Sequence, residues 1–157
     1  MNILILFTTF LLMEGVTWLT HKFVMHGFLW SLHSDHHYKD HDSVLEKNDW
    51  FFVIFAIPAM LLFFLGTFTL GREELAYVGG GITMYGFAYF IVHEVIIHQR
   101  IKYFTRINNF YFRAIRKAHK IHHKHLGKDE GECFGMLLVP VKYFNEALKI
   151  KNLNGHL

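Results

Sequence analysis

The stretch His21–His37, HKFVMHGFLWSLHSDHH, places five histidines directly behind a run of apolar residues. These histidines follow two spacings, H-x4-H and then H-x2-H-H. Both spacings recur later, in HEVIIH at His93–His98 and in HKIHH at His119–His123. Ten of the thirteen histidines therefore belong to one pattern that the chain uses twice.

The composition around this pattern is that of a membrane protein. The chain has 157 residues, the length of a single domain, so 1–157 is treated as one domain. Its hydrophobic fraction of 52% and its 17 phenylalanines exceed what an ordinary soluble domain of this size carries. The single cysteine, Cys133, excludes an internal disulfide and any CxxC metal or redox motif.

Three segments are long and apolar enough to cross a bilayer, at about 3–19, 50–70 and 75–92. Their only charged residue is Glu14. The first segment has no basic residue before it and no small-residue cleavage site, so we expect a retained helix. The third carries small residues that permit close helix contact, namely Gly79, Gly80, Gly81 and Gly86.

The distribution of Lys and Arg predicts the orientation of these spans. The loop between the second and third spans holds Arg72 alone, and the other fifteen basic residues lie in 20–49 or after His93. By the positive-inside rule, the N-terminus faces outside and all four histidine clusters face the cytoplasm. A membrane hairpin returns the chain to the same surface, so distant clusters can meet there. We therefore predict an all-α integral membrane protein of about three to four transmembrane helices with a cytoplasmic, histidine-rich cap.

The two histidine spacings suit metal binding in different ways. On an α-helix, positions i, i+3 and i+4 lie within about 100° of each other, so the three rings of each H-x2-H-H triplet converge. The H-x4-H positions are about 140° apart, which fits either two ions side by side or a helix end that unwinds. Neutral imidazole is a common ligand of iron, zinc and copper. Ten such ligands exceed the shell of one ion and predict two metals.

Three histidines and one carboxylate lie outside this pattern. A single histidine is usually a hydrogen-bonded polar group, and we interpret His156 in this way. His41 and His125 are candidates for supporting the ligands. Glu14, seven residues before His21, is a candidate for the same role or for pairing with a polar group on a neighbouring helix.

The segment 109–125 has the pattern of an amphipathic helix at the membrane surface. Its basic residues form one stripe on the side away from the histidine triplet: Arg113, Arg116, Lys117, Lys120 and Lys124. The stripe predicts contact with anionic lipids or docking of an acidic electron-transfer protein. Cys133–Val141 is apolar but too short to span, and we interpret it as interfacial or pocket-lining. No nucleic-acid partner is predicted.

Several stretches resemble the motifs of the membrane histidine-box oxygenases, a superfamily of fatty acid hydroxylases, sterol oxidases and desaturases. These stretches are HKFVMHG, HSDHH, GITMYGFAYFIVHE, IIHQR, AHKIHH and FGMLLVP. Within the superfamily the chain is most similar to the bacterial carotenoid hydroxylases. The resemblance extends from the first span to about Pro140. It departs at Glu94, where many relatives carry Asp.

The resemblance implies a membrane monooxygenase with a non-haem centre of two iron ions and no catalytic residues beyond the metal ligands. The implied ligands are His21, His26, His33, His36, His37, His93, His98, His119, His122 and His123. The implied reaction hydroxylates C3 of the β-ionone rings of β-carotene, taken from the bilayer, to give β-cryptoxanthin and zeaxanthin. O2 is the implied co-substrate, and ferredoxin with its reductase supplies electrons at the bacterial inner membrane. Aromatic residues are expected along the substrate path: Trp18, Phe23, Tyr85, Phe87 and Tyr89.

Three other functions remain open from the sequence. A related histidine-box hydroxylase or desaturase would act on fatty acyl or sterol substrates, usually with more cytoplasmic sequence than this chain has. A metal transporter would carry ligands along its spans, which here hold only Glu14. A structural zinc-binding membrane protein would need only four ligands and no open position. Metal identity and O2-dependent turnover discriminate among these functions.

Overall fold

The computed structural model describes residues 2–38, 43, 45–102, 107 and 109–154, and within these residues it contains helices and no strands. The all-α prediction is confirmed. His41 and His156 lie outside the described residues.

Three long helices can each cross a bilayer by length and composition, and they span 27, 23 and 25 residues. Each consists of an α-helix joined to a π-helical segment, and the second is preceded by a short 3-10 turn. In order, these are α1 (Asn2–Leu19) with Thr20–Phe28, Lys47–Asp49 leading into α3 (Trp50–Phe64) with Leu65–Thr69, and α4 (Glu73–Tyr89) with Phe90–Ile97. The three predicted spans are therefore present. The first helix continues beyond its predicted end through His21 and His26, and the third continues through His93 and ends directly before His98.

Three further helices form a cap beside the histidine-bearing ends of the spans: α2 (Trp30–His37), α5 (Phe110–His122) and α6 (Val141–Asn154). The helix α5 begins after Asn109, whose side chain accepts a hydrogen bond from the backbone N–H of Phe112. It ends three residues before the predicted boundary at 125. The helix α6 was not predicted. It packs Tyr143 and Ala147 onto the small side chains of α5.

Glycines on α4 set its distance from the two neighbouring spans. A Cβ added at Gly79 would lie 2.5 Å from the carbonyl oxygen of Ala59 on α3. A Cβ added at Gly81 would lie 2.6 Å from the Cβ of Thr9 on α1. Only glycine permits this approach, as predicted for these positions. At Gly86, in contrast, an added Cβ would meet nothing within 4 Å, so this glycine makes no close helix contact.

The spans place the two ends of the molecule in different surroundings. The side chain of Asn2 donates a hydrogen bond to Glu73 (2.9 Å), so the start of α1 lies beside the α3–α4 turn. The histidines lie at the opposite ends of the first and third spans and on the cap helices α2 and α5. With three apolar spans, the chain is an integral membrane protein with its histidines collected at one end.

Candidate metal centre

Nine histidine side chains form two buried groups of ring nitrogens. Within each group, one nitrogen from every ring lies within 4.8 Å of a nitrogen from each other ring. The first histidine group contains His21, His26, His33, His37 and His122, and the second contains His36, His93, His98 and His119. The structure thus brings together two sets of candidate ligands drawn from both halves of the chain.

The π-helical segments explain the H-x4-H spacing. In a π-helix the hydrogen bonds join residues five apart, and the backbone N–H of His98 donates to the carbonyl of His93 at 2.9 Å. Residues five apart therefore lie one turn apart on the same side. The ring centroids of His93 and His98 are 4.5 Å apart, and those of His21 and His26 are 5.2 Å apart. Neither an unwound helix end nor two separate ions is needed, because both rings of each pair point into one group.

The prediction that each H-x2-H-H triplet converges on one point was wrong. His33 and His37, which are four residues apart on α2, belong to the first group, whereas His36 belongs to the second. On α5, His122 belongs to the first group and His119 to the second. The two helices lie between the groups, so successive buried histidines on one helix point to different groups.

His123, the tenth histidine of the pattern, lies beside the second group without being a member of it. Its ring centroid is 4.4 Å from that of His119 and 4.8 Å from that of His36. Its Nε2 is buried and has no hydrogen-bond partner among the described residues. A buried unpartnered nitrogen is costly, and a neighbouring cation would satisfy it.

All five rings of the first group are held at Nδ1 by an amide or backbone oxygen. His21 is held by the carbonyl of Phe134 (3.0 Å), His26 by the carbonyl of Lys128 (3.0 Å) and His33 by Oδ1 of Asn48 (2.7 Å). His37 is held by the carbonyl of His125 (3.0 Å), and His122 by the carbonyl of Glu132 (2.8 Å). A carbonyl oxygen only accepts, so each Nδ1 carries the proton and donates. Each Nε2 therefore presents its lone pair to the centre of the group.

These lone pairs face each other at short distances. The Nε2 of His33 is 3.1 Å from that of His21 and 3.2 Å from that of His37. Burial lowers the pKa of His37 and of His122 to about 3, so these rings are neutral at pH 7 and hold no second proton to share. Facing lone pairs cannot hydrogen-bond to each other. A bound divalent metal fits this donor set, whereas a hydrogen-bonded histidine cluster does not.

Two of the four rings of the second group, His36 and His93, are held by carboxylates. His36 Nδ1 donates to Glu46 Oε2 at 2.7 Å, and His93 Nδ1 donates to Glu94 Oε1 at 2.5 Å. Arg100 pairs with both carboxylates, through Nη2 to Glu46 at 2.5 Å and through Nε to Glu94 at 2.9 Å. Within the group, the Nε2 atoms of His36 and His93 are 3.1 Å apart. Burial also keeps His98, the half-buried member of this group, neutral at pH 7, since it lowers the pKa of His98 to about 4.

The sequence interpretation missed this carboxylate set. Glu94 was noted only as a departure from related sequences, and neither Glu46 nor Arg100 was singled out. One signal was available, because Glu94 directly follows His93 in an otherwise apolar stretch. Buried acidic residues of that kind need a proton donor or a cation as partner.

The segment 125–134 supplies four of the five acceptors of the first group, through the carbonyls of His125, Lys128, Glu132 and Phe134. It contains two non-glycine residues with positive φ, Glu130 and Cys133, each at 63°. These left-handed residues bend the backbone so that successive carbonyls reach different rings. The predicted supporting role of His125 is therefore filled by its backbone carbonyl in this structure.

Glu14 fixes the chain immediately after this segment. Its Oε1 accepts the backbone N–H groups of Met136, Leu137 and Leu138 at 2.9, 3.0 and 2.9 Å. Its Oε2 accepts the hydroxyl of Tyr85 on α4 at 2.6 Å. Glu14 supports the first group only through this backbone, since the His21 ring donates to the Phe134 carbonyl and not to Glu14. Cys133–Val141, expected to be interfacial or pocket-lining, carries these three N–H groups.

Three members of the basic stripe on α5 contact other parts of the chain. Arg113 donates to the carbonyl of Ala147, Arg116 donates to the carbonyls of Ile96 and Ile107, and Lys117 pairs with Glu146. Lys117 is itself exposed, as are the two remaining members, Lys120 and Lys124. Lipid or electron-donor contact by the stripe stays a prediction, with these three lysines as its accessible part.

Two of the five aromatic residues expected along a substrate path line an apolar cavity between α1, α3 and α4. These are Tyr85 and Tyr89. Trp18 and Phe23 instead pack edge-to-face on each other, with ring centroids 6.2 Å apart. Phe87 is 68% exposed on the outer surface of α4. The cavity, rather than the full aromatic set, defines the candidate path.

Comparison with known proteins gives a consistent assignment. A family model described as fatty acid hydroxylase matches residues 6–143. The chain is 38% identical over 138 residues to a protein named beta-carotene hydroxylase from Paracoccus sp. (strain PC1), covering 87% of this chain and 83% of that protein.

Two further relatives bear the same name. The Pantoea ananas protein is 37% identical over 139 residues, covering 88% of this chain and 78% of its own. The protein of Paracoccus sp. (strain N81106 / MBIC 01143) is 36% identical over 154 residues, covering 97% and 93%. No solved structure matches the chain. With the family model covering most of its length and two histidine groups at one end of three membrane spans, the chain belongs to the fatty acid hydroxylase family.

Proposed function

We propose that this protein is a membrane di-iron monooxygenase that hydroxylates C3 of the β-ionone rings of β-carotene. Hydroxylation of one ring gives β-cryptoxanthin, and hydroxylation of both gives zeaxanthin. The observation that carries the proposal is the pair of adjoining histidine groups whose Nε2 lone pairs face inward. The substrate is proposed from the relatives, which are named beta-carotene hydroxylases.

Two metals held in these groups would lie close together. The rings of His33 and His36, one from each group, have centroids 5.5 Å apart. The rings of His37 and His123 stack at 4.6 Å between the groups. Imidazole ligands suit iron, and ten of them would serve two ions. We propose the ten histidines of the sequence pattern as this ligand set.

The reaction consumes O2, two electrons and two protons, leaving one oxygen atom on the substrate carbon and releasing the other as water. Iron ions held by the two histidine groups would supply the activation of O2. The protein holds the protons away from the ligating nitrogens, at the Nδ1 atoms. Its carboxylates Glu46 and Glu94 stabilise the rings of the second group, and burial of both groups keeps bulk water from the reacting site.

Electrons are proposed to come from ferredoxin and its reductase. The exposed residues Lys120 and Lys124 lie on α5 and in the turn directly after it, in the same stretch as His119, His122 and His123. An acidic electron-transfer protein docked there would approach the centre closely, and opposite charges would guide its encounter. This proposal places the histidine end on the cytoplasmic side of a bacterial inner membrane, as the distribution of Lys and Arg indicates.

Pigment chromatography tests the proposal directly. Cells that make β-carotene and express the wild-type chain are expected to accumulate β-cryptoxanthin and zeaxanthin. His36→Ala and His122→Ala, one from each group, are expected to abolish both products while the protein remains in the membrane. Unchanged β-carotene, with wild-type protein in the membrane and reduced ferredoxin supplied, would contradict the proposal.

The same cells separate the proposal from its rivals. Hydroxylated fatty acyl or sterol products with unchanged carotene would support a related hydroxylase of the same family. Tightly held zinc with no O2 consumption would support a structural zinc site. Zinc also binds well at imidazole sites, so metal content is interpreted only alongside turnover.

A further inference from the structure

The cavity between α1, α3 and α4 has a volume of about 360 Å³ and lies inside the membrane-spanning part of the molecule. No charged residue is among its described lining residues. Ligand pockets in proteins are concave, mostly apolar and of roughly 300–1,000 Å³. The cavity therefore fits an uncharged hydrocarbon group, and it offers no partner to the ionised headgroup of a lipid or acyl carrier.

Walls of this cavity touch both histidine groups. Asn48 lines it and accepts the Nδ1–H of His33 in the first group at 2.7 Å. Tyr89 lines it and lies with its ring centroid 4.9 Å from that of His93 in the second group. A group bound in the cavity is thus separated from both sets of candidate ligands by one side chain.

The cavity continues toward lipid along α3 and α4. A shallower groove shares Ala59, Met60 and Thr83 with it and extends past Phe63. The side chains of Met60 and Phe63 are 63% and 51% exposed on the membrane-facing surface. The cavity thus adjoins a groove that opens on the membrane-facing surface. A ring could lie in the cavity while an extended chain attached to it follows the groove.

Gly86 leaves open space on the α4 side of the cavity. It lines the cavity, and an added Cβ would meet nothing within 4 Å. Gly79 and Gly81, on the same helix, are instead required for contact with neighbouring spans. A helix interior favours Ala or Leu over Gly. Glycine at this position therefore serves neither the helix nor its packing.

We propose that this cavity binds one terminal ring of a carotenoid, with the polyene lying in the groove, and that Gly86 is a specificity-determining residue that admits the ring. The proposal rests on the proposed function and adds the location of its substrate. A larger side chain at this position would occupy the volume of the ring and leave the metal centre intact.

Substitution at Gly86 tests the proposal by activity. Gly86→Leu and Ala56→Phe, which narrow the cavity from α4 and α3, are compared with Gly15→Leu, a lipid-facing glycine of α1 with equally open surroundings. Both cavity variants are expected to keep wild-type metal content and lose at least about tenfold in kcat/KM for β-carotene. Gly15→Leu is expected to match wild type. Full turnover by Gly86→Leu and Ala56→Phe would overturn the proposal.

A binding readout keeps this test separate from that of the proposed function. A photoreactive hydrocarbon carrying a β-ionone ring is cross-linked to wild-type protein in vesicles, and the labelled peptides are mapped. Labels on α3 and α4 around the cavity that are lost in Gly86→Leu would support the binding site. If the same wild-type protein forms no hydroxylated product, only the proposed reaction is rejected and the binding site stands. Labels confined to the outer surface of α1, or labels unchanged in Gly86→Leu, would reject the cavity as the binding site. The proposed hydroxylation would not be affected by that result.

Discussion

At the scale of single residues, the acceptors at Nδ1 make the two histidine groups chemically unequal. The first group is held entirely by amide and backbone oxygens, whereas His36 and His93 of the second are held by Glu46 and Glu94. A carboxylate draws the Nδ1 proton more strongly than a carbonyl, so the opposite nitrogen becomes a stronger donor to a metal. We expect the second group to stabilise the higher charge of its metal better than the first.

The substitution Glu94→Gln tests this difference. Glutamine keeps the size of the side chain but removes the charge that accepts from His93 and pairs with Arg100. Loss of a partner of this kind typically lowers metal affinity or activity about 10–100-fold. The expected result is a loss of that size in hydroxylation, with metal lost preferentially from the second group. Metal analysis and turnover measurements check it.

The matched control is Glu74→Gln, an exposed glutamate whose partner is Arg72 at the far end of the spans. This variant is expected to behave as wild type. Equal metal content and equal turnover in Glu94→Gln and Glu74→Gln would show that the buried carboxylate does not tune the centre.

The candidate ligands could be predicted residue by residue from the sequence, but their partners could not. The repeated spacing identified all nine grouped histidines and the adjacent His123. Four acceptors of the first group are backbone carbonyls, which carry no side-chain signature in a sequence. Arg100 and Glu46 lie far apart in sequence, and their meeting depends on the fold.

At the scale of elements, the π-helical segments decide how the histidines meet. An α-helix would have set His93 and His98 about 140° apart, whereas the observed hydrogen bonds bring them to one side. The sequence does not reveal such a segment, because its extra residue per turn is stabilised by contacts of the rings with distant elements. The helix α5 was predicted because its basic and histidine-bearing sides form a clear pattern in the sequence. The helix α6 was not predicted, because its role is to pack Tyr143 and Ala147 onto α5, and this contact depends on the fold.

The segment after the first histidine group depends on Glu14. Glu14→Ala removes the acceptor of three backbone N–H groups, each a hydrogen bond to a charged group worth about 1.5–3 kcal/mol. We expect the amides of Met136, Leu137 and Leu138 to exchange with solvent at least about tenfold faster, because one such bond lost corresponds to that factor. Hydrogen–deuterium exchange of the protein in vesicles measures it.

Tyr85→Phe is the matched comparison, because it removes one donor to Glu14 and leaves the carboxylate and the three backbone N–H groups in place. We expect its exchange at these amides to remain close to wild type. Unchanged protection in Glu14→Ala would mean that other contacts hold the segment.

Lys120 and Lys124 are exposed residues of the basic stripe and form the proposed contact with ferredoxin. The double variant Lys120→Glu and Lys124→Glu reverses their charge, so reduction of the metal centre by ferredoxin is expected to slow by about tenfold or more at low salt. Stopped-flow reduction checks the rate, and a small chemical reductant is expected to reduce wild type and variant equally. Lys149→Glu on α6 is the control. An unchanged ferredoxin rate in the double variant would place the docking surface elsewhere.

At the scale of the whole molecule, neither half of the chain can form the centre alone. The first group takes four histidines from the first half and His122 from the second, and the second group takes His36 from the first half and three from the second. The hairpin of α3 and α4 brings these halves to one end, as the positions of Lys and Arg predicted from sequence. What sequence could not give is the division of each triplet between groups, which depends on how α2 and α5 lie between them.

The central claim is that the two histidine groups each hold an iron ion. Anomalous X-ray scattering at the iron edge, on protein purified from cells whose membranes hydroxylate β-carotene, tests it most directly. We expect two iron peaks per chain, one among His21, His26, His33, His37 and His122 and one among His36, His93, His98 and His119. A single peak, or iron bound outside these two groups in actively hydroxylating material, would contradict it.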